Sequence, residues 1–191
     1  MEVKPVILTG KYVRLEPMTE AHVPGLAAIG LDDSIWKHML YGEMRSEADM
    51  RTWVRGVLSG SDVPFVAIQL ASGRVAGATR YLNIAPEHRG LEIGGTWYGI
   101  EFQRTVVNTD CKYLLLKHAF ETLGCIRVQL KTDSRNERSQ RAIERLGAKH
   151  EGVLRNHMIL PDGRFRNSVY YSIVDTEWPE VKARLEVMLA R

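Results

Sequence analysis

The sequence predicts an α+β fold with a sheet of mixed strand direction. Amphipathic helices are interspersed with short β-type segments along the chain. A polar segment separates the strand at 91–97 from the next helix, so unpaired backbone N–H groups gather near one strand end. The turn Pro161-Asp162-Gly163 lies between two strand-like segments and predicts an antiparallel hairpin. Such a sheet can open where two parallel strands part.

The elements before residue 90 follow from apolar spacing and turn residues. They are a strand at 6–16 interrupted at Gly10, a helix at 19–29, a variable segment at 31–45, a helix at 46–58, and strands at 65–70 and 75–84. Thr19 is expected to cap the first helix, and Ser46, with Asp49 three residues on, the second.

The later elements are predicted in the same way. They are a strand at 91–97, a polar loop at 103–108, a helix at 109–123, a strand at 126–130, a helix from Asn136 that ends at Gly147, strands at 151–160 and 165–174, and an amphipathic helix at 176–189. Thr109 is the expected N-cap of the helix after the polar loop.

Composition is that of an ordinary globule. The chain has 191 residues, 45% hydrophobic and 26% charged, and is predicted as one domain, 1–191. A net charge of +3 is too weak to indicate a nucleic-acid partner. Two cysteines, Cys111 and Cys125, offer no metal-ligand spacing and no expected disulfide. No signal peptide or membrane-length apolar run is present, which predicts a soluble, cytoplasmic protein without a membrane partner.

Residues 92–139 carry the most specific pattern: strand, polar loop, helix, strand, and then Asn136-Glu137-Arg138-Ser139 opening a helix. Their order and spacing resemble the GCN5-related N-acetyltransferases (GNAT family), especially the branch that acetylates ribosomal proteins. The opening segment at 8–17 is also similar to that branch's first strand. The resemblance implies a mostly antiparallel mixed sheet that splays at the cofactor site. It also implies acetyl-CoA as cosubstrate, no metal, and direct acetyl transfer to an amine.

The polar loop resembles the family's pyrophosphate loop, Gln/Arg-x-x-Gly-x-Gly/Ala, with Gln103 at the first position. Val106 and Asn108 stand at the two small positions. Valine is strained at positive φ, so the loop either follows a different path or keeps negative φ at Val106. Side chains are then expected to supply the phosphate donors; the candidates are Arg104, Thr105, Asn108, Thr109 and Lys112. An ordinary capped helix without a ligand is the alternative.

The resemblance also assigns roles near the thioester. Asn136 would bind the pantetheine arm, and Ser139 would lie near the sulfur and help the thiolate leave. Many members have a tyrosine acid four residues further on, where this chain has Ile143. A backbone N–H at Trp97 or Tyr98 would polarise the carbonyl.

Glu92 is the candidate general base. It lies eleven residues before Gln103, the offset at which histone-acetylating members place their base. The alternative is a structural glutamate paired with an arginine such as Arg80 or Arg127.

Two further patterns suggest other functions. Cys111 with His118 suggests acyl-cysteine chemistry, but seven residues along one helix separate them by two turns, so a packed thiol is favoured. The arginines at 135, 138, 141 and 145 suggest contact with RNA or the ribosome, but such a run is more often a solvated helix face or binds the CoA phosphates.

The predicted function is acetyl-CoA-dependent acetylation of a protein or peptide N-terminus. The alternatives are a small-molecule or antibiotic amine as acceptor, and a non-catalytic acyl-CoA-binding module. The segments at 31–45 and 161–166 are expected to line the acceptor side. The resemblance also allows for a homodimer.

Overall fold

A computed structural model describes residues 1–42 and 44–190. Its strands are β1 Leu8–Thr9, β2 Val13–Pro17, β3 Val63–Gln69, β4 Val75–Ala85, β5 Gly90–Tyr98, β6 Arg127–Asp133, β7 Lys149–Ile159 and β8 Phe165–Val174. Its α-helices are α1 Val23–Gly30, α2 Asp33–Trp36, α3 Glu47–Leu58, α4 Val106–Lys117, α5 Glu137–Leu146 and α6 Trp178–Ala190.

The eight strands form one mixed sheet in the order β1-β2-β3-β4-β5-β6-β8-β7. β5 and β6 pair in parallel, and the other neighbours pair antiparallel, which confirms the predicted fold class. The parallel pairing ends at Glu92 and Gln129. Beyond that point β5 stays on β4 while β6 stays on β8, so the sheet opens between them.

Two apolar clusters lie on the two faces of the sheet. One contains Trp36, Trp53 and Trp97, whose rings pack with centroids 5.0–5.9 Å apart. The other includes Leu114, Leu115 and Leu116 of α4, all buried between the sheet and its neighbours. Because α4 is buried over most of its circumference, it is held on several sides, and its N-terminus is fixed relative to the opening.

Most predicted turns and caps are confirmed. Gly10 N–H donates to Val13 O at 2.8 Å and divides the first strand into β1 and β2. Ser46 Oγ accepts from Asp49 N–H at 3.2 Å. Gly147 ends α5 with φ of 104°, and Gly163 has φ of 80° in the β7–β8 turn.

The end of one strand differs from prediction, and one helix was not predicted. β6 runs on to Asp133, beyond the predicted end at Leu130, because Thr132 and Asp133 pair with Val169 and Ser168 of β8. Within the predicted variable segment, α2 is an additional helix; residue 43 of that segment lies outside the described residues. In the described part of the chain, no helix has both the length and the apolar character needed to cross a membrane.

Candidate active site: a cleft between two diverging strands

A cavity of about 640 Å³ occupies the opening between β5 and β6. The end of β5 and the start of α4 form one wall, and α5 forms another. The predicted site residues that line it are Glu92, Trp97, Tyr98, Gln103, Arg104, Thr105, Asn108, Lys112, Asn136 and Ser139. The fold therefore brings the predicted residues together at one cavity, with Thr109 as the exception.

A β-bulge shapes the β5 wall. Ala78 pairs with Trp97, but Arg80 pairs with Gly94, so one residue of β4 stands opposite two of β5. Gly95 adopts φ of 56° in the bulge, and a Cβ built there would lie 2.6 Å from Arg80 Nε. This position therefore favours glycine for both its backbone angle and its contacts.

The hydrogen bonds between β4 and β5 beyond the bulge show whether the backbone N–H of Trp97 or that of Tyr98 faces the cleft. Gly99 N–H donates to Ala76 O at 3.1 Å, which makes that pair a hydrogen-bonded one. Antiparallel pairs alternate, so Trp97 binds β4 while the N–H and C=O of Tyr98 point away from it, towards the cleft. In agreement, Tyr98 O accepts from Gln103 Nε2 at 3.0 Å. The backbone N–H available to a carbonyl is therefore that of Tyr98.

The helix after the polar loop begins earlier than predicted. Residues 106–108 form the first turn of α4, and Thr105, not Thr109, is the N-cap: its hydroxyl accepts from Val107 N–H at 3.3 Å. Val106 thus keeps negative φ, which was one of the two alternatives predicted for the loop. Positive φ is found at Arg104 instead, at 61°. The prediction of Thr109 as cap is wrong, because Val107 is fully buried and draws the first turn into the core.

Thr109 lies in the second turn and does not line the cavity. It is buried, and its hydroxyl accepts from Arg145 Nη2 at 2.9 Å. Asn108 and Lys112, four residues apart, share the helix face that does line the cavity.

Lys112 is a buried cation beside the bulge. Its Nζ donates to Thr96 Oγ1 at 2.7 Å, and the Thr96 hydroxyl is 2.8 Å from that of Thr79. Among the described residues, no carboxylate lies within ion-pair distance of Lys112. Burial lowers the pKa of Lys112 to about 8. An anion placed in this part of the cleft would offset that burial.

The N-terminus of α5 faces the opening from the other side. Asn136 is its N-cap, as predicted, and Asn136 Oδ1 accepts from Ser139 N–H at 3.1 Å. The Ser139 hydroxyl lines the cavity and has no hydrogen-bond partner in residues 1–42 and 44–190. Arg138 Nη1 donates to Gln103 Oε1 at 2.6 Å, which ties α5 to the loop before α4.

Glu92 lies at the point where the strands part and is 1% exposed. Its Oε2 accepts from Asn83 Nδ2 at 2.9 Å, Gln129 Nε2 at 2.8 Å and Lys131 Nζ at 3.1 Å. Oε1 is 3.0 Å from Lys131 Nζ.

The expected arginine partners of Glu92 are wrong. Arg80 pairs with Asp62, and Arg127 with Glu151. Lys131 was missed, although Gln129 and Lys131 alternate with the buried Val128 and Leu130 on β6. Polar residues at every second position of a central strand indicate a polar cavity on one face.

Cys111 and His118 do not form a nucleophile–base pair. Burial raises the pKa of the Cys111 thiol to about 12, so it is protonated at neutral pH. His118 stacks on Tyr81 at a centroid distance of 6.1 Å. The interpretation of Cys111 as a packed thiol is confirmed.

The segments predicted to line the acceptor side reach the same cavity as Glu92. His38, Met39 and Tyr41 come from the loop after α2, and Arg166 from β8. Arg166 belongs to the predicted acceptor segment 161–166, but no pattern singled it out within that segment.

The family described as "Acetyltransferase (GNAT) domain" has a sequence model that matches residues 13–149. The chain belongs to the GCN5-related N-acetyltransferase (GNAT) family. It is therefore an N-acetyltransferase of the type that uses acetyl-CoA, and the predicted family and enzyme class are confirmed. The matched segment contains the cleft from Glu92 to Ser139.

Individual proteins that resemble this chain carry acetyltransferase names. The Bacillus subtilis protein named "Putative ribosomal N-acetyltransferase YdaF" is 32% identical over 109 residues, which are 57% of this chain and 58% of that protein. The crystal structure of a "putative acetyltransferase" from T. thermophilus is 42% identical, with TM-score 0.92, over 99% of this chain and 100% of that one. Mycobacterium smegmatis RimJ, solved with CoA-disulfide, shares the fold at 20% identity and TM-score 0.81, over 96% and 95% of the two chains.

Proposed function

We propose that this GNAT enzyme transfers acetyl directly from acetyl-CoA to the N-terminal amine of a protein or peptide. The observation that carries the proposal is the opening of the sheet at Glu92. One cavity there is lined by Tyr98, Ser139 and Glu92. The similarity to a protein named as a ribosomal N-acetyltransferase supports a polypeptide acceptor.

The phosphate end of the cleft suits the anionic part of acetyl-CoA. Lys112 is a buried cation with no carboxylate partner among the described residues, and the first-turn N–H groups of α4 face the same region. Arg104 adds a side-chain donor at the mouth, whereas the Thr105 hydroxyl already donates to Phe102 O at 2.7 Å. The RimJ structure with CoA-disulfide supports CoA binding on this fold.

Acetyl-CoA would supply a thioester whose carbonyl carbon an amine can attack. Three groups of the chain would act on that thioester. The Tyr98 N–H would donate to the carbonyl oxygen as negative charge develops on it. Asn136 fixes the backbone at Ser139. The Ser139 hydroxyl would donate to the departing sulfur.

We infer that Glu92 receives the incoming ammonium. Its Oε2 is occupied by three donors, but Oε1 contacts only Lys131 among the described residues. A carboxylate has about four acceptor sites, so Oε1 keeps one for the amine. The ion pair with Lys131 orients the carboxylate, and the remaining acceptor site of Oε1 is available to take the proton.

Acetyl transfer can be tested by following CoA release with N-terminal peptides and small amines, with mass spectrometry of the products. Acetylation at the peptide α-amine, and not at lysine side chains, is the expected result. Turnover of small amines alone would favour the small-molecule alternative. Tight acetyl-CoA binding by calorimetry without turnover of any amine would favour the non-catalytic module.

A further inference from the structure

We propose that the acceptor carries a carboxylate close to the amine that is acetylated, and that Arg166 binds this carboxylate. The inference rests on the proposed function and adds a substrate class to it. It follows from the charges in the acceptor half of the cleft, defined here by His38, Tyr41, Arg80, Glu92, Lys131 and Arg166.

Three carboxylates in and around this half are already neutralised. Glu92 Oε1 is 3.0 Å from Lys131 Nζ, and Asp62 Oδ2 is 3.3 Å from Arg80 Nη1. Behind the cavity wall, Asp133 Oδ2 is 3.0 Å from Arg164 Nη1. Each carboxylate therefore has one cation, and the three pairs leave no net charge.

Arg166 is the cation left over. It is 6% exposed, and its Nε donates to Ser168 Oγ at 3.1 Å. Its Nη1 donates weakly to His38 O at 3.4 Å. No carboxylate oxygen within residues 1–42 and 44–190 lies at ion-pair distance from its guanidinium, and the side chain lines the cavity. Arg166 thus retains N–H donors that no described residue accepts.

His38 does not change the net charge of the acceptor half. Burial is the largest influence on its pKa and lowers it, although Asp133 acts in the opposite direction. His38 is therefore neutral at neutral pH and adds no positive charge. The acceptor half carries one net positive charge, located on Arg166.

A buried guanidinium without a counter-ion is costly, and a carboxylate is its best-matched ligand. The planar fork of arginine binds both oxygens of a carboxylate at once. Two sources supply that chemistry. One is an acidic side chain near the N-terminus of a peptide, and the other is the α-carboxylate of a free amino acid.

Matched acceptors test the proposal on the wild-type enzyme. One pair is a peptide with Glu at its second position against the same peptide with Gln; the other is a free amino acid against its amide. We expect kcat/KM to be at least about tenfold higher for the carboxylate member of one pair, and the pair that responds identifies the source. Equal kcat/KM within both pairs would overturn the proposal while leaving amine acetylation intact. Failure to acetylate any amine would overturn the proposed function, and this inference with it.

Variants of Arg166 connect the preference to the residue. Arg166→Gln should abolish the carboxylate preference, and Arg166→Lys should retain part of it. Arg155→Gln is the matched control, because Arg155 is exposed on the same hairpin and does not line the cleft. A preference that survives in a folded Arg166→Gln enzyme would refute the role of Arg166. If that variant does not fold, Arg166→Lys and the wild-type pairs decide.

Discussion

Replacement of Lys112 by methionine should make the free protein more stable and its acetyl-CoA binding weaker. Burial moves the pKa of Lys112 from 10.5 to about 8. One pKa unit corresponds to about 1.4 kcal/mol, so charging this group in the folded state costs on the order of 3 kcal/mol. Methionine has a similar length and carries no charge. We therefore expect Lys112→Met to raise the free energy of unfolding at pH 7 by about 1–3 kcal/mol, roughly 2–4 °C in Tm per kcal/mol.

The stabilising effect of Lys112→Met should depend on pH. Below about pH 8 the lysine is protonated in both states, and the full cost is present. Between about pH 8 and 10.5 the unfolded chain binds the proton and the folded protein does not. Wild-type stability from this group therefore rises with pH across that window. The same rise should be absent in Lys112→Met, so the difference between the two proteins should shrink above pH 8.

Acetyl-CoA binding should respond in the opposite direction. A hydrogen bond to a charged group contributes about 1.5–3 kcal/mol, so losing it should raise the Kd about 10–100-fold. Denaturant unfolding and calorimetry measure the two effects. Lys117→Met is the matched control, since Lys117 is exposed on the same helix. Our reasoning would be refuted if Lys112→Met bound acetyl-CoA like wild type and showed no gain in stability.

Four other substitutions test the site. Ser139→Ala should lower kcat more than it raises KM, because its contact strengthens as charge develops on sulfur; an unchanged kcat would exclude Ser139. In Arg104→Asn, the asparagine can adopt φ of 61° but carries no charge. The KM for acetyl-CoA should therefore rise at low salt, and the rise should be smaller at high salt. Gly95→Ala should cost at least about 1–2 kcal/mol of stability and lower kcat, as measured by melting and steady-state kinetics. Glu92→Gln should reduce kcat by about 10²–10⁴ if Glu92 accepts the proton; a lower Tm with intact turnover would make it structural.

The residues at the start of α5 were predicted correctly from the local sequence. Asn136 caps the helix and bonds Ser139 N–H, as an asparagine three residues before a serine at a helix start would. The same reasoning failed at Thr109. Val106 and Val107 are β-branched and weak helix formers, so the sequence favoured a loop there. Burial of Val107 overrides that preference and begins the helix at Val106, with Thr105 as cap.

Long-range partners could not be predicted in the same way. Glu92 meets Lys131 only because β5 and β6 pair in parallel with Glu92 opposite Gln129. Their register is set by the packing of the whole sheet, and no local spacing encodes it. The sequence therefore placed Glu92 in the cleft but named the wrong partners for it. Arg166 belongs to the segment 161–166 that was predicted for the acceptor side, but its contact with His38 O, 128 residues away, could not be predicted for the same reason.

The absence of glycines from the phosphate loop has a consequence for how acetyl-CoA binding depends on conditions. Glycines at positions 106 and 108 would let a pyrophosphate approach the backbone closely, and backbone N–H groups do not titrate. Here those positions belong to a helical turn with side chains. The cations that line the phosphate end of the cleft are the buried Lys112 and the exposed Arg104, Arg138, Arg141 and Arg145. Since the pKa of Lys112 is about 8, the contribution of Lys112 to acetyl-CoA affinity should decline as the pH rises above 8. The contribution of the exposed arginines should instead decline with salt, because exposed charges are screened and buried ones much less so. Titrating pH and ionic strength separately should thus separate Lys112 from the arginines, whereas a backbone-only cradle would show little dependence on pH.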